Sequence, residues 1–236
     1  IGRAIAAALT AAGATVTVFG RSEAPLKAAV SEGAAKAWKI ADVTDPAATQ
    51  RAFAAASAEH GPISILVANA GTAQSAPFGK TDPGTFRQMF EVNTIGVVHA
   101  AQAVLPGMIE RKAGRIIAIA STAGLKGYPY VSAYVAAKHA TVGLVRALAV
   151  ETAMTGVTVN ALCPGFTDTD LIDESLDRIV KATGRSREDA LKLLLKDTPG
   201  GRLIKPEEVA AAAVFLCSPE AAAITGPKGE VGAVGQ

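Results

Sequence analysis

Five short apolar runs alternate along this chain with longer, alanine-rich segments, and that alternation constrains its fold more than any other feature. The runs are Thr15–Phe19, Ala37–Ala41, Ile63–Val67, Arg115–Ala120 and Val157–Leu162. Each has strand length and is bounded by turn-forming or polar residues. Between them the sequence predicts helices over about 2–12, 23–32, 46–60, 83–111 and 130–153. Strands separated by helix-length connections run parallel, as βαβ units. Runs this apolar suit a sheet covered by helices on both faces. The expected fold is α/β, a doubly wound parallel sheet.

Composition narrows the function classes. The chain has 236 residues, half of them hydrophobic and 19% charged, enough for a sizeable core. The net charge is only +2 with both signs scattered, so no basic footprint points to nucleic acid or to an anionic membrane. No uninterrupted apolar run reaches the ~18 residues of a membrane span, and no signal peptide opens the chain. A cytoplasmic location is expected. Cys163 and Cys217 form no metal-like or redox pair, and no metal is expected. With no internal repeat and no linker rich in Pro, Gly or Ser, residues 1–236 read as one domain.

Beyond the last strand the pattern changes. Two short amphipathic helices are predicted near 172–183 and 187–196, the second opened by a capping box of Ser186 and Asp189. An insertion at about 170–199, just past a strand's carboxyl end, reads either as a lid over a ligand crevice or as an extra packing element. A last helix starts at Pro206 and runs to about Cys217.

Ser121 ends the fourth strand run, and Tyr134 and Lys138 follow it in the fifth predicted helix. A Tyr and a Lys four apart share one helix face. There an ammonium can favour the phenolate and pull its pKa down from about 10, making the phenol a general acid or base. Ser121 lies at a strand's carboxyl end, where open α/β sheets bind ligands. On its own the Tyr/Lys spacing fits a tyrosine packed on a lysine stem equally well.

With its neighbours, this set resembles the short-chain dehydrogenase/reductase family, and in particular its 3-oxoacyl reductases. Ile1-Gly2 resembles the end of the family's glycine-rich loop, and Asp42-Val43 its adenine-contacting pair. Asn69-Ala70-Gly71 matches the turn after the fourth family strand. Asn93, Ser121, Tyr134 and Lys138 match the catalytic set. Pro164-Gly165 with Thr169 matches the segment flanking the nicotinamide. The resemblance covers nearly the whole chain. It implies a Rossmann-type, three-layer α/β/α domain that binds NAD(P) and interconverts a small-molecule ketone and secondary alcohol. Tyr134 would exchange the proton and Ser121 would bond the substrate oxygen. Lys138 would tune Tyr134 and bond the nicotinamide ribose, and Asn93 would hold a relay water. A homotetramer or homodimer is also implied.

Charge decides the expected cofactor. Arg21-Ser22 follow the first strand run, where NAD-specific relatives carry a carboxylate. An arginine and a hydroxyl there can bond a 2′-phosphate, so NADP(H) is favoured. His60, His99 and His139 are poor catalytic candidates. Tyr128, Tyr130 and Phe166 are candidates either for a substrate pocket or for packing.

Two departures from the family accompany these matches. The chain opens on the last two residues of the glycine loop, so the family's first, central strand and most of the pyrophosphate cradle precede Ile1. Residues upstream of Ile1 are therefore expected in the natural protein, and the runs at 15–19 and 63–67 are expected to lack a shared neighbour. At the other end Thr225-Gly226 matches the approach to a seventh strand, but Pro227–Gly235 is too glycine-rich for a central one. A 3-oxoacyl thioester (carrier-protein or CoA linked) is the expected substrate. A small-hydroxyacid dehydrogenase similar to 3-hydroxybutyrate dehydrogenases is the alternative. A non-catalytic dinucleotide-binding or assembly protein on the same fold is the alternative of another class.

Overall fold

A computed structural model describes residues 1–196 and 198–226. Its order is α1 (Gly2–Ala11), β1 (Thr17–Gly20), α2 (Glu23–Ser31), β2 (Ala37–Ile40), α3 (Pro46–His60), β3 (Ile65–Ala68), α4 (Pro83–Phe90), α5 (Gly96–Glu110), β4 (Gly114–Ile119), α6 (Ser132–Thr152), β5 (Val157–Leu162), α7 (Asp170–Thr183), α8 (Arg187–Leu195) and α9 (Pro206–Cys217). Local chemistry sets several of these boundaries. Asp45 and Asp82 accept bonds from Ala48 N and Gly84 N, and Pro46 and Pro83 follow them as first-turn prolines. At Gly156, which turns the chain into β5, φ is 78° and a Cβ would lie 2.1 Å from the Lys112 carbonyl oxygen, so only glycine fits.

All strand pairs are parallel, as expected. They form two groups, β1-β2 and β3-β4-β5. Alternation along β4 sends its side chains to opposite faces. Ile116 and Ala118 join α3, α5 and α6 through Phe53, Val97, Val104 and Val142. Ile117 and Ile119 meet α1 and α9 through Ile5, Leu9, Val209 and Ala213. Ile116 and Ile117 are each 1% exposed, and burial of such side chains contributes about 1.5–3 kcal/mol apiece. This two-sided core is the doubly wound architecture.

The expected gap between the runs at 15–19 and 63–67 is present. Among the described residues β1 pairs only with β2, and β3 only with β4. Between them lies a cavity of about 590 Å³ lined by Val16, Val18, Leu66, Ala68, Leu9 and Phe53, among others. Phe53 also stacks on Phe19 at 4.4 Å, fixing α3 to β1. At the far edge, Gly226 N donates to Val159 O, and Asn160 Nδ2 donates to Ile224 O. The approach to the expected seventh strand therefore lies along β5, while Pro227–Gly235 falls outside the described residues.

Two readings change. The helix expected over 83–111 is interrupted by a π turn at Glu91–Ile95. Two polar contacts enter it, one local and one from α6: Asn93 Nδ2 donates back to Met89 O at 2.9 Å, and Thr141 Oγ1 donates to Asn93 O at 2.8 Å. Polar groups inserted into the helical ladder distort it. Second, Pro83–Glu110 as a whole is long and apolar enough to cross a membrane by length and composition. Its apolar residues are interrupted by Arg87, Gln88, Glu91, Asn93, His99 and Gln102, so no uninterrupted run marks it. Here its buried face packs against α3, β3, β4 and α6.

Candidate active site

Three strand ends and two helices converge at the carboxyl edge of β3-β4-β5. Past β4, Ser121 adopts extended backbone and its Oγ accepts from Ala123 N at 3.1 Å, opening a 3-10 turn at Thr122–Gly124. That turn sits under α6. A Cβ on Gly124 would lie 2.7 Å from the Lys138 carbonyl oxygen, so glycine allows the close approach. Tyr134 lies in the first turn of α6 and Lys138 one turn later. The Lys138 Nζ donates to Ile119 O at 2.8 Å, and it lies 5.7 Å from the centre of the Tyr134 ring.

Burial governs both ionisable groups. Lys138 is 4% exposed, and loss of hydration lowers its pKa from 10.5 to about 8. Burial also raises the Tyr134 pKa above its ordinary value, and the facing Ser121 hydroxyl works in the opposite direction. The spacing of the two residues predicts a lowered phenol. The structure gives a raised one, because burial outweighs the help of Ser121 and the Lys138 ammonium is directed to the Ile119 carbonyl.

Asn93 closes the group from the other side. Its Nδ2 donates to Thr72 O at 3.0 Å and its Oδ1 accepts from Thr72 N at 3.2 Å, holding the loop after Asn69-Ala70-Gly71. A Cβ on Gly71 would lie 2.9 Å from Asn93 Oδ1 and 3.5 Å from Lys138 Nζ. Thr122 N donates to Pro164 O at 2.9 Å, which joins Pro164-Gly165 to the Ser121 turn. Thr169 precedes α7, its Oγ1 donating to Thr167 O. The segment before it bridges Thr167 to Ile204, which anchors the base of α7.

The remaining sites of the resemblance fall into two places. Ile1 and Gly2 open α1 with no side-chain cap, and a Cβ on Gly2 would meet the Asn69 side chain at 2.5 Å. The first-turn N–H groups of α1 therefore open beside the Asn69 turn, as an anionic pyrophosphate requires. Arg21 and Ser22 are exposed after β1. Asp42 and Val43 follow β2, and the Asp42 carboxyl, bonded by Thr44 N and Thr44 Oγ1, is held below its ordinary pKa. These four follow β1 and β2, whereas Ser121 follows β4 and Tyr134 and Lys138 lie on α6. Bare glycines, an uncapped helix start and an exposed arginine fit a dinucleotide laid across the strand ends. Among the described residues no three His, Cys, Asp or Glu side chains gather as metal ligands.

Around the mouth, the Thr122 and Tyr128 hydroxyls share a hydrogen bond of 2.9 Å, and the Tyr128 ring meets Phe166 edge-on at 5.9 Å. Tyr130 has a left-handed backbone, φ 65°, and its carbonyl accepts from Ala76 N. The expected Ser186 cap is present, with Asp189 N donating to Ser186 Oγ. Arg178 of α7 reaches across to Ser75 Oγ at 3.1 Å. Sequence reasoning passed over Thr94 and Thr141. Thr94 Oγ1 donates to Ala137 O, and Thr141 ties α6 to the π turn. Their only signal is a hydroxyl at a helix position that faces the core.

Comparison with known proteins agrees with this geometry. The family model for short chain dehydrogenase matches residues 1–179. The chain is 36% identical to the D-beta-hydroxybutyrate dehydrogenase of Cupriavidus necator, covering 96% of this chain and 90% of that one. It is 37% identical to the 3-oxoacyl-[acyl-carrier-protein] reductase of Vibrio harveyi, covering 96% and 88%. It is 39% identical to an inactive 2-(S)-hydroxypropyl-CoM dehydrogenase of Xanthobacter autotrophicus, covering 94% and 95%. A solved structure of an actinorhodin polyketide ketoreductase variant with NADPH superposes with a TM-score of 0.93 at 33% identity, covering 98% of this chain and 90% of that one. The chain belongs to the short-chain dehydrogenase family and is an oxidoreductase of CH–OH and C=O groups.

Proposed function

We propose that the chain is an NADP(H)-dependent reductase of 3-oxoacyl thioesters, linked to a carrier protein or to CoA. The observation that carries the chemistry is the placement of Ser121, Tyr134 and Lys138 at one strand edge, with the ammonium buried one turn from the phenol. The dinucleotide, when bound, supplies or accepts the hydride. Tyr134 donates its proton to the substrate oxygen in reduction, and its high pKa keeps the phenol protonated and ready to do so. Ser121 donates to the same oxygen as negative charge develops there. Lys138 supplies the positive field that stabilises the phenolate left behind, and it bonds the ribose of the cofactor. Asn93, buried beside Lys138 with its side chain bonded to Thr72, would hold a relay water toward Lys138.

Gly2, Asn69, Ala70 and Gly71 would hold the pyrophosphate and nicotinamide half, together with Pro164, Gly165 and Thr169. Asp42 and Val43 contact adenine. Arg21 and Ser22 favour NADP(H), because they stand directly after β1, where NAD-specific relatives carry a carboxylate that would repel a 2′-phosphate. Helices α7 and α8 form a lid over the substrate, latched by Arg178 to Ser75. The thioester assignment is supported by the Vibrio relative and by the polyketide ketoreductase likeness. The Cupriavidus relative supports a second reading, a small-hydroxyacid dehydrogenase.

NADPH consumption with acetoacetyl-CoA, acetoacetate and a bulky ketone separates these. Preference for acetoacetyl-CoA is expected, and preference for acetoacetate would favour the second reading. Tyr134→Phe is expected to bind cofactor yet lose turnover; near-normal turnover would refute the assignment. Cofactor binding without turnover of any ketone would place the chain with its inactive relative.

A further inference from the structure

Helix α5 and the π turn before it touch the cofactor crevice at two points. Asn93 holds Thr72 at the nicotinamide end, as described above. Three residues on, Gly96 is bare where a Cβ would meet Val43 Cγ2 at 2.7 Å. Three residues further, the His99 Nδ1 lies 2.8 Å from the Val43 carbonyl oxygen. A carbonyl can only accept, so Nδ1 carries the proton and donates; the bond fixes the tautomer. The rest of this turn is also held. Thr49 Oγ1 donates to Asp42 O at 3.2 Å, and Thr44 bonds the Asp42 carboxylate twice. His99 thus completes a turn in which both consecutive carbonyls, of Asp42 and Val43, have a side-chain donor.

We propose that His99 is a positioning residue for the adenine end of the dinucleotide site. It acts by clamping the Val43 backbone to α5. The proposal rests on the reading of Asp42 and Val43 as the adenine-contacting pair. The clamp leaves the reacting end untouched: Ser121 follows β4, Tyr134 and Lys138 lie on α6, and the His99 ring bonds the Val43 carbonyl instead.

Two variants separate the clamp from simple packing. His99→Phe keeps a ring but has no donor. His99→Asn places an N–H donor on Cγ, where Nδ1 is attached. Binding of NADPH, 2′,5′-ADP and reduced nicotinamide mononucleotide to the whole chain is measured by calorimetry, alongside kcat at saturating NADPH. His99→Phe is expected to weaken NADPH and 2′,5′-ADP by about 5- to 10-fold, the worth of one hydrogen bond. Mononucleotide binding and kcat should stay within about twofold, and His99→Asn should recover most of the loss. Unchanged 2′,5′-ADP binding in His99→Phe, no recovery in His99→Asn, or equal weakening of the mononucleotide would overturn the proposal. So would a wild-type chain that binds neither adenine-bearing probe. Tight, His99-dependent binding with no ketone reduced would uphold the clamp while removing the reductase reading.

Discussion

Lys138 is held charged at neutral pH against its surroundings, and that opposition is measurable as stability. Its pKa falls from 10.5 to about 8 on folding because the side chain loses its hydration. A folded-state pKa below the unfolded one means that the unfolded chain binds more protons between the two values. Stability therefore rises with pH across that window and is lowest below about pH 8, where the buried group is charged. The fall from 10.5 to about 8, at about 1.4 kcal/mol for each tenfold change, corresponds to roughly 3 to 4 kcal/mol in all. Between about pH 7.5 and about pH 9.5, before the ordinary tyrosine range, about 2 kcal/mol of this should appear. Lys138→Met fills similar volume without the charge. Urea unfolding, followed by the fluorescence of Trp38, the single tryptophan, should show the wild type gaining about 2 kcal/mol on the variant over that interval. The variant removes the Ile119 bond at every pH, so the slope of the difference isolates the titration. Stability curves that run parallel within about 0.5 kcal/mol would refute the account of a lysine strained by burial.

Other expectations follow from single contacts. Arg21→Asp should move the kcat/KM preference from NADPH toward NADH by at least about tenfold, since it replaces a phosphate donor by a like charge; an unchanged ratio would remove Arg21 from the cofactor site. Gly124→Ala forces a methyl to 2.7 Å from the Lys138 carbonyl oxygen, at a cost of about 1–3 kcal/mol. The same shift of α6 should lower kcat by more than about tenfold, and wild-type melting would show that the turn yields freely. Arg178→Ala should raise KM for a thioester and leave the NADPH Kd unchanged. Equal effects on both would show that the α7 contact to Ser75 is not a substrate latch.

The strands were legible because apolar runs of strand length have few other uses, and Val157–Leu162 agrees to the residue. Helices with chemical stops, such as Pro46–His60 between an Asp cap and Gly61, were equally plain. Of the candidate site, the residue types and their strand-end placement could be read directly. What could not be read was direction. That Lys138 turns to the Ile119 carbonyl, and that burial lifts Tyr134, depend on the packing of α6 against the 3-10 turn, which no spacing of letters records. His99 looked idle because its partner is a backbone carbonyl 56 residues away. The π turn escaped for the same reason: Thr141 lies 48 residues from Asn93.

A π turn is a helix carrying one residue more than its ladder needs, and here it works as a phase shift. Asn93 within the shift engages Thr72, and Gly96 and His99 beyond it engage Val43. Removing any one residue from Glu91–Ile95 would let the ladder close as ordinary α-helix and rotate one half against the other by about 100°. One end of the crevice would then lose its partner whichever half stayed in place. The helix can exchange many outward-facing side chains at little cost, but its residue count is an interlock between the two ends of the crevice.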